Sequence, residues 1–183
     1  MNKMFFARKK GFRFFNFLGT WVAVFLLGIS FSSYSAGSKW VHNVTGGGED
    51  SYPNQNNKPT FKISLNAKIN EEGLVKGYVE WWFLDGRPAS FGNVYCMEVR
   101  NNRAYIGYKS LGGQFGGYGI PGNSVLLALE DNGEGSNAYS DRQSFIYYVN
   151  FPTYTCTNFV DFIESQGDNG FPVIWLHGNV QIR

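Results

Sequence analysis

Apolar and polar residues alternate with a period of two through much of the chain beyond residue 59. Phe61, Ile63, Leu65 and Ala67 fall on one face and Lys62, Ser64, Asn66 and Lys68 on the other, the pattern of a strand with one buried face. Asn70 to Gly73 supplies turn residues, and the return strand sets Val75, Gly77, Val79, Trp81 and Phe83 against Lys76, Tyr78, Glu80, Trp82 and Leu84. Asp85 and Gly86 make the next turn, and Pro88 suits a connection better than a central strand. Residues 91–108 read as a hairpin. Val94, Cys96 and Glu98 oppose Tyr95, Met97 and Val99 on its first strand, and Ala104, Ile106 and Tyr108 oppose Tyr105, Gly107 and Lys109 on its second. Asn101 and Asn102 between them tolerate the positive φ of a two-residue turn. Further strands are predicted at 124–130, 144–151 and 171–183. Only 157–164 has helical spacing, through Phe159, Val160, Phe162 and Ile163. Seven or eight strands joined mostly by short turns predict an all-β fold, a single antiparallel β-barrel with one short helix. A β-sandwich is the alternative.

The first residues follow a different pattern. Lys3, Arg8, Lys9, Lys10 and Arg13 precede an uncharged run that is most apolar at 21–31, and small residues follow at Ser32, Ser33, Ser35, Ala36 and Gly37. Residues 1–36 therefore read as a signal peptide cut near 35–37. The strongly apolar run is shorter than the roughly 20 residues of a spanning helix. The expected location is secreted, periplasmic or extracellular, with no membrane span in the mature chain. Residues 37–58, with Gly46, Gly47 and Gly48 in a row, are expected to be a flexible Gly/Asn-rich lead-in holding at most a short strand at 39–44. The barrel domain is then 59–183.

Export changes the meaning of the charge. Five of the 16 Lys and Arg lie in the leader and none of the 14 Asp and Glu do, leaving 11 against 14 and a net charge of about −3. The formal excess of positive charge belongs to the leader and gives no ground for a nucleic-acid partner. Cys96 and Cys156 are the only cysteines, and in an oxidising compartment they are expected to pair.

Candidate chemistry is sparse. The chain has two histidines, His42 and His177, with no metal-ligand spacing, and it has no GxSxG. Glu130, Asp131, Glu134 and Asp141 cluster around Asn132 and Gly133, so Asp131, Glu134 and Asp141 are the candidate ligands for a calcium ion, a hard cation held by several oxygens. Their alternative is a solvated turn. Residues 111–123 hold six glycines with Phe115 and Tyr118 between them, either a binding rim or a long connection. Small barrels hold ligands among aromatic side chains, which makes Trp81, Trp82, Tyr108, Phe115 and Tyr118 the candidate ligand-binding residues; core filling is the alternative.

The segments 61–82, 91–108, LEDNGEGSNAYSDR at 129–142 and the terminal HGNVQIR together resemble a group of small exported bacterial all-β proteins that share a DNGEG loop and a GNVQ(I/V)R end. The resemblance spans about residues 46–183 and implies a secreted β domain; it transfers no catalytic residue. The leading expectation is an exported, non-enzymatic β-barrel that binds a small ligand or an extracellular or envelope component, with no cofactor beyond a calcium ion. One alternative is a carboxylate-based hydrolase or lyase acting on an extracellular polymer through Glu80, Glu98 or Asp131. Another is a calcium-stabilised adhesion module.

Overall fold

The alternating strands close into a ring. The computed structural model describes residues 38–51, 59–134, 139–144, 147–149 and 155–183; the expected signal peptide and its cleavage site lie outside them. Nine strands form one sheet: β1 (Trp40–Ser51), β2 (Pro59–Asn70), β3 (Val75–Phe83), β4 (Pro88–Arg100), β5 (Arg103–Gly112), β6 (Ser124–Glu130), β7 (Arg142–Gln143), β8 (Tyr147–Val149) and β9 (Val173–Ile182). Each of β1 to β5 pairs antiparallel with the next, and β5 pairs with β6. Strands β7 and β8 both pair with β6 and share one place in the ring. The ring closes through β7–β9 and β9–β1. An antiparallel barrel removes the open sheet edges that a sandwich keeps.

The interior is filled. Val44, Phe61, Ile63, Leu65, Ala67, Val79, Trp81, Val94, Met97, Ile106, Tyr108, Leu127, Leu129 and Val180 are buried in one apolar cluster. Inward positions of β2, β3 and β5 are the apolar sets that the alternation predicts. Strand β4 differs: a register shift between Val94 and Cys96 puts Val94 and Met97 both inside and corrects the face assignment read from strict alternation. The same bulge leaves Cys96 outside, where it bonds Cys156 with a Cα–Cα distance of 5.8 Å. Gly107 is what makes room, since a Cβ there would lie 2.7 Å from the Cys96 sulfur.

Cys156 opens the helix α1 (Cys156–Ser165), capped by the Thr155 hydroxyl, which accepts from the Asn158 N–H at 3.3 Å. Its buried residues Phe159, Val160 and Ile163 form a second, external cluster with Tyr105, Leu126, Ala128 and Phe171. The expected helix is therefore present, although Phe162 stays 40 % exposed with its ring against Tyr147.

The lead-in expectation is corrected. Residues 40–51 form β1, a full member of the ring hydrogen-bonded on both sides, and the barrel begins there and not at residue 59. No helix among the described residues is long and apolar enough to cross a membrane. The outward residues of β2 are Lys62, Ser64, Asn66 and Lys68.

Candidate functional site

Three places carry the chemistry that the sequence singles out or conceals. The first is the acidic loop after β6. Among the described residues, no strand pairs with β9 beyond Ile174 on the side of β7, and the carboxylates of this loop meet it instead. Asp141 accepts from the Val180 N–H at 2.6 Å and the Asn132 N–H at 2.8 Å. Asp131 accepts from the Ile182 N–H at 2.9 Å and the Gly133 N–H at 2.9 Å. Glu134 accepts from the side chains of Asn179, at 3.0 Å, and Gln181. The DNGEG loop and the GNVQIR end thus hold each other. Asp131, Glu134 and Asp141 do come together, but they aim their oxygens at N–H donors, and among the described residues no three Asp, Glu, His or Cys side chains converge to hold a metal ion.

Glu130 lies just before this loop. Burial pushes its carboxyl up, but the guanidiniums of Arg142 at 2.6 Å and Arg103 at 2.9 Å outweigh burial and hold it below the usual range. Arg103 also reaches Glu164 of α1 at 3.1 Å, and both arginines lie over the ring of Phe171. This network fastens the helix and the segment before β9 to the barrel.

The second place is the barrel end covered by residues 113–119. Phe115 and Tyr118 stack at 4.7 Å, and Phe115 packs on Phe61 at 4.9 Å and on Phe83 at 6.1 Å. The backbone N–H groups of Gln114 and Phe115 donate to the carbonyls of Pro88 and Ala89, so the glycine-rich loop is a plug tied to β4. Tyr108 is fully buried, its hydroxyl 2.8 Å from that of Ser90, and burial raises its pKa. Trp81 is 2 % exposed. Of the candidate ligand-binding residues, Trp81, Tyr108, Phe115 and Tyr118 are thus core and closure; only Trp82 points outward, half-buried.

Opposite Phe61 on β1 lies Asp50, which the sequence pattern did not mark. It is fully buried, with one oxygen accepting from the Phe61 N–H and the other from the Gln143 amide, each at 2.8 Å. Burial raises its pKa from 3.8 to about 6, against the lowering effect of these hydrogen bonds. The Gln143 amide oxygen, the Trp81 indole N–H and the Ser51 hydroxyl are buried without a hydrogen-bond partner among the described residues.

The third place is the outer wall. Outward residues fall in register rows across β2 to β5: Lys68 faces Lys76, and the next row runs Asn66, Tyr78, Asn93, Lys109. The Lys68 ammonium lies 4.3 Å and that of Lys76 5.9 Å from the ring centre of Trp40. A cleft of about 280 Å³ opens beside them, lined by Asn66, Lys68, Lys76, Gly77 and Tyr78. Glu80 and Glu98, the candidate catalytic acids, also lie outside the barrel core, on β3 and β4, and Glu98 is bound to Arg100 at 2.8 Å.

The facing lysines were within reach of the sequence. A hairpin turning at residues 70–73 places Lys68 opposite Lys76, and both sit on the polar face of the alternation. Asp50 gave no such signal, because its neighbours are glycines and polar residues. No known protein family matches the chain, and neither the curated proteins nor the solved structures provide a match.

Proposed function

We propose that this chain is an exported, non-catalytic barrel module that binds an extracellular or envelope component on its outer surface. The observation that carries the reading is the filled interior: apolar side chains from around the ring meet in one core, and the loop aromatics seal one end. Ligand recognition then falls to the outside. Export is supported by the leader and by the Cys96–Cys156 bond, since such bonds persist in oxidising compartments.

Carboxylate catalysis of glycoside cleavage calls for two acids about 5 to 10 Å apart across an open cleft. Of the three candidate acids, Glu98 is bound to Arg100, and both oxygens of Asp131 accept backbone N–H groups. The calcium reading has the same difficulty, because its three ligands are engaged with donors.

Incubation of the purified protein with a panel of extracellular polymers tests this, with bound protein and newly formed chain ends both measured. Retention without new ends is expected. New ends whose rate drops in Glu80→Gln or Glu98→Gln would overturn it.

A further inference from the structure

Lys68 and Lys76 stand directly opposite each other on neighbouring strands, a position where like charges repel. Among the described residues neither ammonium pairs with a carboxylate; the ion pairs of the barrel are made by other residues. Both are instead drawn toward the one ring of Trp40. The fold therefore concentrates two cations at the lip of the wall cleft, where a bound anion would relieve their repulsion.

The surroundings narrow the kind of anion. Two residues along the strands, about 7 Å away, the next row brings the exposed amide of Asn66 beside the ring of Tyr78, with the exposed amide of Asn93 beyond it. An aromatic face suits the apolar face of a sugar ring, and amides donate to and accept from its hydroxyls. A sugar that carries a carboxylate at one end and hydroxyls at the other spans roughly this row spacing. The row reaches Lys109, over the ring of Tyr95 at 5.0 Å, about 14 Å from Asn66 at the usual strand separation, which is room for more than one sugar unit. Nucleic acid fits less well. Glu80 occupies the row after Tyr78, opposite Ser64, and the chain without its leader is net acidic, which opposes a dense phosphate backbone.

We propose that the wall formed by Asn66, Lys68, Lys76, Tyr78 and Asn93 binds an acidic polysaccharide, with a uronate carboxylate held between the Lys68 and Lys76 ammoniums. The proposal rests on the reading of the chain as a non-catalytic binding module and names its ligand class.

Calorimetric titration of the purified protein with short galacturonate oligomers, the same oligomers methyl-esterified, acetate and a single-stranded oligonucleotide tests it. The free-acid oligomer is expected to bind, with affinity falling as salt rises. Lys68→Gln/Lys76→Gln should weaken it roughly tenfold or more, as should Tyr78→Ala, with the melting temperature not lowered and the disulfide intact in the lysine variant. No binding by the free-acid oligomer, equal binding of the esterified oligomer, equal binding of acetate, tighter binding of the oligonucleotide, or full affinity in the lysine variant would each overturn the proposal. Cleavage of a bound oligomer would instead sink the non-catalytic reading while leaving the site in place. Retention on some other polymer, without uronate binding, would sink this site alone.

Discussion

From β1 to β5 each strand finds its neighbour through a long antiparallel ladder, whereas between β6 and β9 the ladder rests, among the described residues, on Arg142 and Gln143. Carboxylates complete that second junction. Asp141 and Asp131 take the N–H groups of Val180 and Ile182 that a neighbouring strand would otherwise take. The wall thus closes through its own backbone ladder, while the seam uses its acids for closure. An acid-rich loop that looks like a cation site by composition is, in three dimensions, a stretch of sheet edge built from side chains.

The largest expected effect comes from cutting the tie that joins the two regions. Cys156 on α1 is bound to Cys96 on β4 across 60 residues, and removing such a bond costs about 4 kcal/mol on the loop-entropy model. Cys96→Ser/Cys156→Ser is expected to lose about that much in urea unfolding, with α1 exchanging its amide hydrogens before the ladder from β1 to β5 does. Uniform exchange in both regions would show that the helix side is no weaker than the wall.

Much of the wall was legible in the sequence and little of the seam was. The inward sets of β2, β3 and β5 follow strict alternation because those strands carry apolar side chains into a common core. Strand β1 was hidden because the register with β2 places Gly46, Gly48 and Asp50 at inward positions, where the periodic signal needs large apolar residues. Glycine is required there: a Cβ on Gly46 would lie 2.6 Å from the Asn179 carbonyl oxygen, and one on Gly178, at φ 152°, would lie 2.1 Å from the Gly47 carbonyl oxygen. The bulge after Val94 was equally invisible, since one inserted residue breaks the period without changing composition. For Asp131, Glu134 and Asp141, the residue types are the same whether their oxygens meet a cation or N–H donors. The donors they meet come largely from β9 as it returns past the loop.

The next effect separates seam acids from wall polar residues. Asp141→Ala strips the buried Val180 N–H and the Asn132 N–H of a charged acceptor, and hydrogen bonds to charged groups contribute about 1.5 to 3 kcal/mol each. A loss of about 3 kcal/mol is expected, against less than about 0.5 kcal/mol for Ser64→Ala on the wall. Equal, small losses by urea titration would show that the seam does not depend on its carboxylates.

A third effect sets Asp50 against Glu130 and has opposite signs in the two. Asp50 has its folded pKa raised to about 6, so between about pH 4 and 6 the folded protein holds more protons than the unfolded chain. Its contribution to stability is fully present below the unfolded value of 3.8 and declines as pH rises through 6, by up to about 3 kcal/mol. Glu130 has its folded pKa lowered; its contribution is present above its unfolded value and is lost as pH falls through the folded one. Asp50→Asn keeps an acceptor for the Phe61 N–H, and a flip of Gln143 turns its unpartnered oxygen toward the new amide. This variant is expected to be about 2 kcal/mol more stable than the original at pH 7 and little changed at pH 4, as read from urea titrations at both pH values. A less stable Asp50→Asn protein at pH 7 would mean that the buried charge is needed between β1, β2 and Gln143.

The smallest expected effect concerns calcium. A cation that binds only the folded state stabilises it by RT ln(1 + [L]/Kd), about 2.7 kcal/mol at a hundred times Kd. For a domain of this size that corresponds to roughly 5 to 10 °C in melting temperature. The carboxylates of Asp131 and Asp141 accept the N–H groups of Ile182 and Val180, and a cation at those oxygens would leave the N–H groups facing positive charge. The melting temperature is therefore expected to move by less than about 1 °C between millimolar calcium and a chelator. A rise of several degrees, abolished in Glu134→Gln, would show that the loop can exchange its backbone partners for a metal. The seam would then be a ligand site like the wall, and the contrast between them would fail.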